Sequence, residues 1–133
     1  MCGGNMIDQI THITIMVDNQ AKALKWYEEK LDFQKRVDDS HSVPGVRWLT
    51  IAPREDQGIE IVLFQAQNEN DHLKIGKNTM WIFKTDNCRQ ATQSMRQKGV
   101  HIVKECEDWP WGISTIFEDL YGNYYNLVEL RDE

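Results

Sequence analysis

The sequence contains no long hydrophobic run, few cysteines and no surplus of positive charge, and each shortage removes a class of protein. Its longest apolar stretches are strand-sized, such as Ile61-Val62-Leu63-Phe64, far below the roughly 20 residues a membrane helix requires. No bilayer span is expected. The start, Met1-Cys2-Gly3-Gly4-Asn5-Met6, offers neither a basic segment nor an apolar core for a secretion signal, so a cytoplasmic location is expected. Cys2, Cys88 and Cys106 are odd in number, widely separated and outside any CxxC or Cys/His spacing. That disfavours a disulfide framework and a structural zinc site, and the three read as reduced thiols, with Cys88 in the first turn of an expected helix. Fifteen lysines and arginines against 21 acids give a formal net charge of -6, and the basic residues are scattered rather than gathered into a stripe. Such a surface repels phosphate backbones, which argues against a nucleic-acid partner.

What is present is an ordinary globular mixture. The 133 residues are 41% hydrophobic and 27% charged, enough for one domain with a real core. The chain also repeats itself. His12-Ile13-Thr14-Ile15-Met16-Val17-Asp18-Asn19 lines up with Met80-Trp81-Ile82-Phe83-Lys84-Thr85-Asp86-Asn87, each an apolar-rich strand ending in Asp-Asn, which suits a helix N-cap. After the first comes an amphipathic segment, Gln20 to Leu31, with Leu24, Tyr27 and Leu31 on one face. After the second comes a weaker one, Cys88 to Lys98, with Ala91 and Met95 one turn apart and Gly99 as a stop.

Three candidate strands follow each helix. They are Phe33 to Val37, Val46 to Ile51 and Ile59 to Phe64 in the first half, and Val100 to Lys104, Ile113 to Phe117 and Tyr124 to Leu130 in the second. Each half is therefore a βαβββ module, about 7–64 and about 78–131. The polar, aperiodic stretch 65–77 connects them, and Asp119-Leu120-Tyr121-Gly122-Asn123 supplies a turn with Gly122 at positive φ. The acidic stretch from Glu105 to Asp108 reads as a solvated loop. One helix cannot cover both faces of a four-stranded sheet, so the halves must pair, within or between chains. The expected architecture is α+β, an open mixed eight-stranded barrel with helices outside and a concave pocket inside.

In this order, Ala23-Leu24-Lys25-Trp26-Tyr27-Glu28-Glu29-Lys30-Leu31-Asp32-Phe33, Lys98-Gly99-Val100, Trp109-Pro110-Trp111-Gly112 and Asp119-Leu120-Tyr121-Gly122-Asn123 resemble the glyoxalase/bleomycin-resistance/extradiol dioxygenase (vicinal oxygen chelate) superfamily over nearly the whole chain. Asp32 stands where that family usually has Gly. Metal-using members take one ligand from the first and one from the last strand of each half, which the resemblance transfers to His12, Glu60, Met80 and Asn126. Imidazole and carboxylate suit zinc, nickel, iron or manganese, whereas a thioether selects soft ions and a neutral amide binds weakly. Only a loosely held divalent ion is expected. Glu129 cannot substitute, because three residues along a strand reverse the face.

With His12 and Glu60 facing the concave side, alternation places Thr14, Met16, Val62, Phe64, Met80, Ile82, Lys84, Tyr124, Asn126 and Val128 there too. Ile13, Ile15, Val17, Trp81 and Phe83 then face the helices. Trp48 is a candidate for the pocket wall, Trp109 and Trp111 for its mouth, Lys84 for clamping an anion, and Glu60 for a proton-abstracting base. Three readings stay open. The first is a metal-independent binder of a small organic molecule in an aromatic pocket. The second is a metal-dependent lyase, isomerase or dioxygenase of the glyoxalase I type using His12 and Glu60, and the third is a non-catalytic regulatory or interaction module. The resemblance also implies a homodimer, since family members commonly build each pocket from two chains.

Overall fold

In the computed structural model, which describes residues 6–54, 56 and 58–131, each expected βαβββ module forms its own four-stranded sheet. Of the residues invoked for a missing secretion signal, 1–5, Cys2 among them, lie outside the described residues. The first module comprises β1 (His12–Val17), α1 (Gln20–Leu31), β2 (Phe33–Asp39), β3 (Trp48–Pro53) and β4 (Glu60–Gln65), with strand order β1-β4-β3-β2. A short helix, α2 (Glu69–Leu73), follows. The second module comprises β5 (Trp81–Lys84), α3 (Cys88–Gln97), β6 (Ile102–Trp109), β7 (Gly112–Glu118) and β8 (Tyr124–Leu130), ordered β5-β8-β7-β6. In each module the first strand pairs parallel with the last and the rest are antiparallel. The fold is α+β and its sheets remain open.

The repeat works through its caps. Asn19 Oδ1 accepts from Lys22 N–H and Asn87 Oδ1 from Gln90 N–H, both at 3.0 Å, so each Asp-Asn ends a strand and starts a helix with one orphan amide satisfied. At the end of α1, Asp32 takes φ +57, the left-handed conformation in which Gly would be unstrained, and its carboxylate meets Arg54 at 2.9 Å.

Some expected boundaries shift. The third strand starts at Trp48 rather than Val46, and the connection 65–77 is not wholly irregular, because Asn68 caps α2 by accepting from Asp71 N–H at 2.8 Å. The larger correction is at Glu105 to Asp108, which lie within β6 rather than in a loop. On this sheet edge the charges are tied down, Glu105 to Arg96 and Asp108 to Arg89, each at 2.6 Å, and Lys104 to Glu107 at 2.9 Å. An edge strand carrying charge on its exposed side is a usual protection against pairing with another chain.

The core lies on the helix side of both sheets and runs between the modules. Ile13, Ile15, Val17, Trp81 and Phe83 join it, as alternation requires. From α1, Tyr27 reaches into the second module, where its hydroxyl donates to Asp119 Oδ2 at 2.6 Å and meets the Tyr125 hydroxyl at 2.7 Å. Asp119 is held further by Asn123 Nδ2 at 2.8 Å and by the Tyr121 and Asn123 backbone amides at 2.9 Å. Phe33 packs edge-on to Phe83 with ring centres 5.7 Å apart. The modules thus meet back to back through their helix sides.

The β6–β7 turn is fixed by Gly112, at φ +154, because a Cβ there would lie 2.0 Å from the Glu129 carbonyl oxygen of β8. Gly112→Ala must displace backbone, and we expect it to cost about 2 kcal/mol, an overpacking penalty measurable by urea denaturation. An unchanged midpoint would show that the hairpin rides free of β8.

Candidate functional site

Because the helix sides of both sheets are spent on the core, the opposite faces carry the remaining candidates. On the first sheet the parallel register sets His12 directly against Glu60. His12 Nε2 lies 3.8 Å from Glu60 Oε1, and its Nδ1 is hydrogen-bonded to Thr11 Oγ1 at 2.8 Å. The Glu60 carboxylate has the partner that its apolar neighbours demand: the Thr50 hydroxyl donates to Oε1 at 2.6 Å and itself accepts from Val37 N–H at 3.1 Å. Sequence reasoning missed Thr50. Its signal was a lone hydroxyl in the apolar run Leu49-Thr50-Ile51, on the strand next to the one that carries Glu60.

Trp48 joins this group, its ring edge-on to His12 at 5.6 Å, which places it on the outer face that the sequence had left open. The result is a polar knot of His12, Glu60 and Thr50 beside an indole. It can exchange hydrogen bonds with a ligand through imidazole and carboxylate while stacking an apolar surface on Trp48. Phe64, further along β4, is half-buried and lines a cavity of about 540 Å³ with Gln20, Pro44, Arg47 and Gln67.

The second sheet presents a different face. Trp81 pairs with Tyr125 and Ile82 with Asn126, so one step back along the register Met80 stands against Tyr124. The register thus sets Tyr124 beside the start of β5 and Asn126 opposite Ile82. Met80 and Tyr124 are each over two-fifths exposed and line a cavity of about 370 Å³ with Asn78 and Glu118. Asn126 sits between Ile82 and Ile116 in the register, and its Oδ1 is buried with no hydrogen-bond partner among the described residues. A buried acceptor left unpaired is costly and invites a donor. Lys84, more than two-thirds exposed, pairs with Asp86 at 3.9 Å and borders the cleft between the modules.

At the β6–β7 turn Trp109 and Trp111 stand parallel within 2°, ring centres 6.5 Å apart, both over two-fifths exposed. No strand pairing joins the two sheets among the described residues, so His12, Glu60 and Trp48 form one group, Met80, Tyr124 and Asn126 another, and the tryptophan pair a third.

This donor set does not make a complete site for a tightly held divalent metal. Among the described residues no group of three or more His, Cys, Asp or Glu side chains is placed to hold an ion, and the second-module positions offer a thioether, a phenol and an amide. One imidazole and one carboxylate leave most of a coordination shell to water.

Two open, mixed four-stranded sheets, each with a parallel first-to-last pair and one covering helix, define the class of protein made of paired βαβββ modules. Residues 9–127 match the model of the Glyoxalase/Bleomycin resistance protein/Dioxygenase superfamily, and the chain belongs to that family. A protein of Shewanella frigidimarina (strain NCIMB 400), described only as uncharacterized, is 28% identical over 132 residues, covering 96% of this chain and 98% of its own. A member of the same superfamily from Sphaerobacter thermophilus DSM 20745 has a crystal structure that superposes with TM-score 0.82 at 32% identity, over 94% of this chain and 99% of its own. The crystal structure of TnmS3, an antibiotic binding protein from Streptomyces sp. CB03234, superposes with TM-score 0.80 at 25% identity, over 96% and 99%. No helix among the described residues is long and apolar enough to cross a membrane.

Proposed function

We propose that this protein binds a small, flat organic molecule without a strongly held metal, on a surface completed by homodimerisation. The observation that carries the reading is the outer face of the two sheets, where Trp48, Met80, Ile82 and Tyr124 stay exposed beside a few convergent polar groups. Apolar and aromatic walls with sparse polar anchors are the usual composition of a small-molecule site. In the back-to-back arrangement the outer faces of one chain point away from each other. A second copy brings the His12–Glu60 face of one chain against the Met80–Tyr124 face of the other and covers both. Asn126 and Glu60 then anchor polar groups of the ligand, and its rings lie against Trp48.

The antibiotic-binding relative supports the ligand class, and the spacing of Trp109 and Trp111 supports its shape. Two exposed, parallel indoles suit stacking on a planar ring. The protein works in the cytoplasm in this reading, as a sequestering protein.

The test is titration of the purified protein with a panel of polycyclic aromatic and cationic antibiotics, followed by tryptophan fluorescence. We expect saturable quenching by at least one of them, a dimer by light scattering, and roughly a tenfold weaker affinity on Trp48→Ala, the loss of one buried aromatic contact. Silence across the panel from a monomer would overturn the reading and leave the regulatory-module alternative. The 3.8 Å approach of His12 to Glu60 favours a second reading, a metal-dependent enzyme with Glu60 as its base. Stoichiometric metal in protein purified without chelator, lost on His12→Ala, would establish that instead.

A further inference from the structure

Away from the outer faces, two thiols meet on the second module. Cys88 opens α3 and is fully buried, whereas Cys106 lies mid-strand in β6 and is partly exposed. They share one polar knot. The Thr92 hydroxyl donates to the Cys88 carbonyl at 2.7 Å, and the Cys106 thiol donates to Thr92 Oγ1 at 3.3 Å and lies 4.0 Å from the same carbonyl. The Cys88 thiol points at the Leu127 carbonyl, 3.6 Å away. On its outer side Cys106 opens into a shallow groove between α3 and β6, bordered by Arg89, Gln93, Arg96 and Glu105.

We propose that Cys88 and Cys106 form an oxidisable dithiol, in which Cys106 reacts with a hydroperoxide and Cys88 closes a disulfide beneath it. The roles follow from placement: of these two thiols Cys106 is reachable from solvent and Cys88 is buried. Burial above all, and then the neighbouring Cys106, push the Cys88 thiol up to about 11. It stays protonated at neutral pH and does not compete for the oxidant, because the thiolate is the nucleophile.

With hydrogen peroxide the Cys106 sulfur attacks one peroxide oxygen, an S–O bond forms as the O–O bond breaks, and one water leaves. The Cys88 sulfur then attacks the Cys106 sulfur. An S–S bond forms, the S–O bond breaks, and the departing hydroxide takes the Cys88 proton as a second water. Two thiols lose two electrons and two protons, and one peroxide becomes two waters. The bridge ties the first turn of α3 to the edge strand that ends at Trp109 and stiffens the module carrying the tryptophan pair.

The experiment uses the full chain with Cys2→Ser, which removes the third thiol. It is treated with equimolar hydrogen peroxide, alkylated under denaturing conditions and weighed intact. We expect a mass loss of about 2 Da with both alkylation sites gone, as disulfide formation requires. We also expect reversal by dithiothreitol, a peptide map joining the Cys88 and Cys106 peptides, and a raised thermal midpoint. Adding Cys88→Ser should leave Cys106 carrying oxygen adducts at an unchanged initial rate, while Cys106→Ser should make the chain unreactive. Oxygen adducts on Cys106 in molecules whose Cys88 still alkylates, or a bridge formed only between two chains, would overturn the proposal.

Discussion

Replacing Asp119 by alanine is expected to destabilise the protein by about 4 kcal/mol, close to the whole stability of an ordinary domain, because it breaks a buried charge network rather than a single contact. Asp119 is 5% exposed and joins both modules: Tyr27 from α1, Tyr125 and Asn123 from the second module, and two backbone amides all donate to its carboxylate. Alanine removes the acceptor and strands several buried donors at once, each carrying a desolvation cost. Asp119→Asn should cost less, since its amide oxygen can keep the two backbone donors and the tyrosine hydroxyls can turn to accept from its NH₂, leaving only Asn123 Nδ2 without its acceptor. Urea unfolding followed by circular dichroism checks the order. A loss under about 1 kcal/mol for Asp119→Ala would mean that the modules hold together without this clasp.

The same cluster makes the fold sensitive to alkali. Burial first, and then the neighbouring Tyr125 and Asp119, raise the Tyr27 phenol well above its ordinary value of 10.0, and burial followed by Asp119 raises Tyr125 as well. Below pH 10 both phenols are neutral whether the chain is folded or not, and stability is unaffected by them. Above it the unfolded chain ionises them and the folded chain does not. Stability therefore falls by about 1.4 kcal/mol per pH unit for each tyrosine until their folded values are reached. A stability profile from pH 8 to 12 should bend downward near pH 10, with the tyrosinate absorbance of Tyr27 and Tyr125 appearing in one cooperative step together with unfolding. Gradual ionisation of Tyr27 and Tyr125 before unfolding would contradict their burial. Tyr27→Phe should flatten the slope.

Most of the module plan was legible because it rests on local signals. Asn19 and Asn87 cap helices wherever they sit, since capping uses an amide three residues away. The strict alternation of His12 to Val17 gives two faces on any strand, and one of them had to be the core. Signals failed where the partner was distant. Nothing local distinguishes a loop rich in acids from the edge strand β6, because the difference lies in pairing with β7 and in arginines reaching over from α3.

The candidate site divides in the same way. His12 and Glu60 were found as types of residue suited to chemistry, but their adjacency comes from a parallel pairing across nearly fifty residues of chain. Trp48 acquired a face only from its contact with the His12 ring, and Thr50 its role only from the hydrogen bond to Glu60. That Asn126 faces Ile82 and Tyr124 lies beside the start of β5 is likewise a property of two strands together.

By itself, then, the sequence determined two βαβββ modules, their caps and their buried faces, all of which depend on neighbours within a few residues. Only the tertiary structure decided that the modules pack back to back around Tyr27, Asp119 and Tyr125, that Trp48, Met80, Ile82 and Tyr124 stay exposed on the outer faces, and that Cys88 and Cys106 lie together. Those facts depend on which surfaces meet, and the free energy of that meeting is shared among residues far apart in the chain.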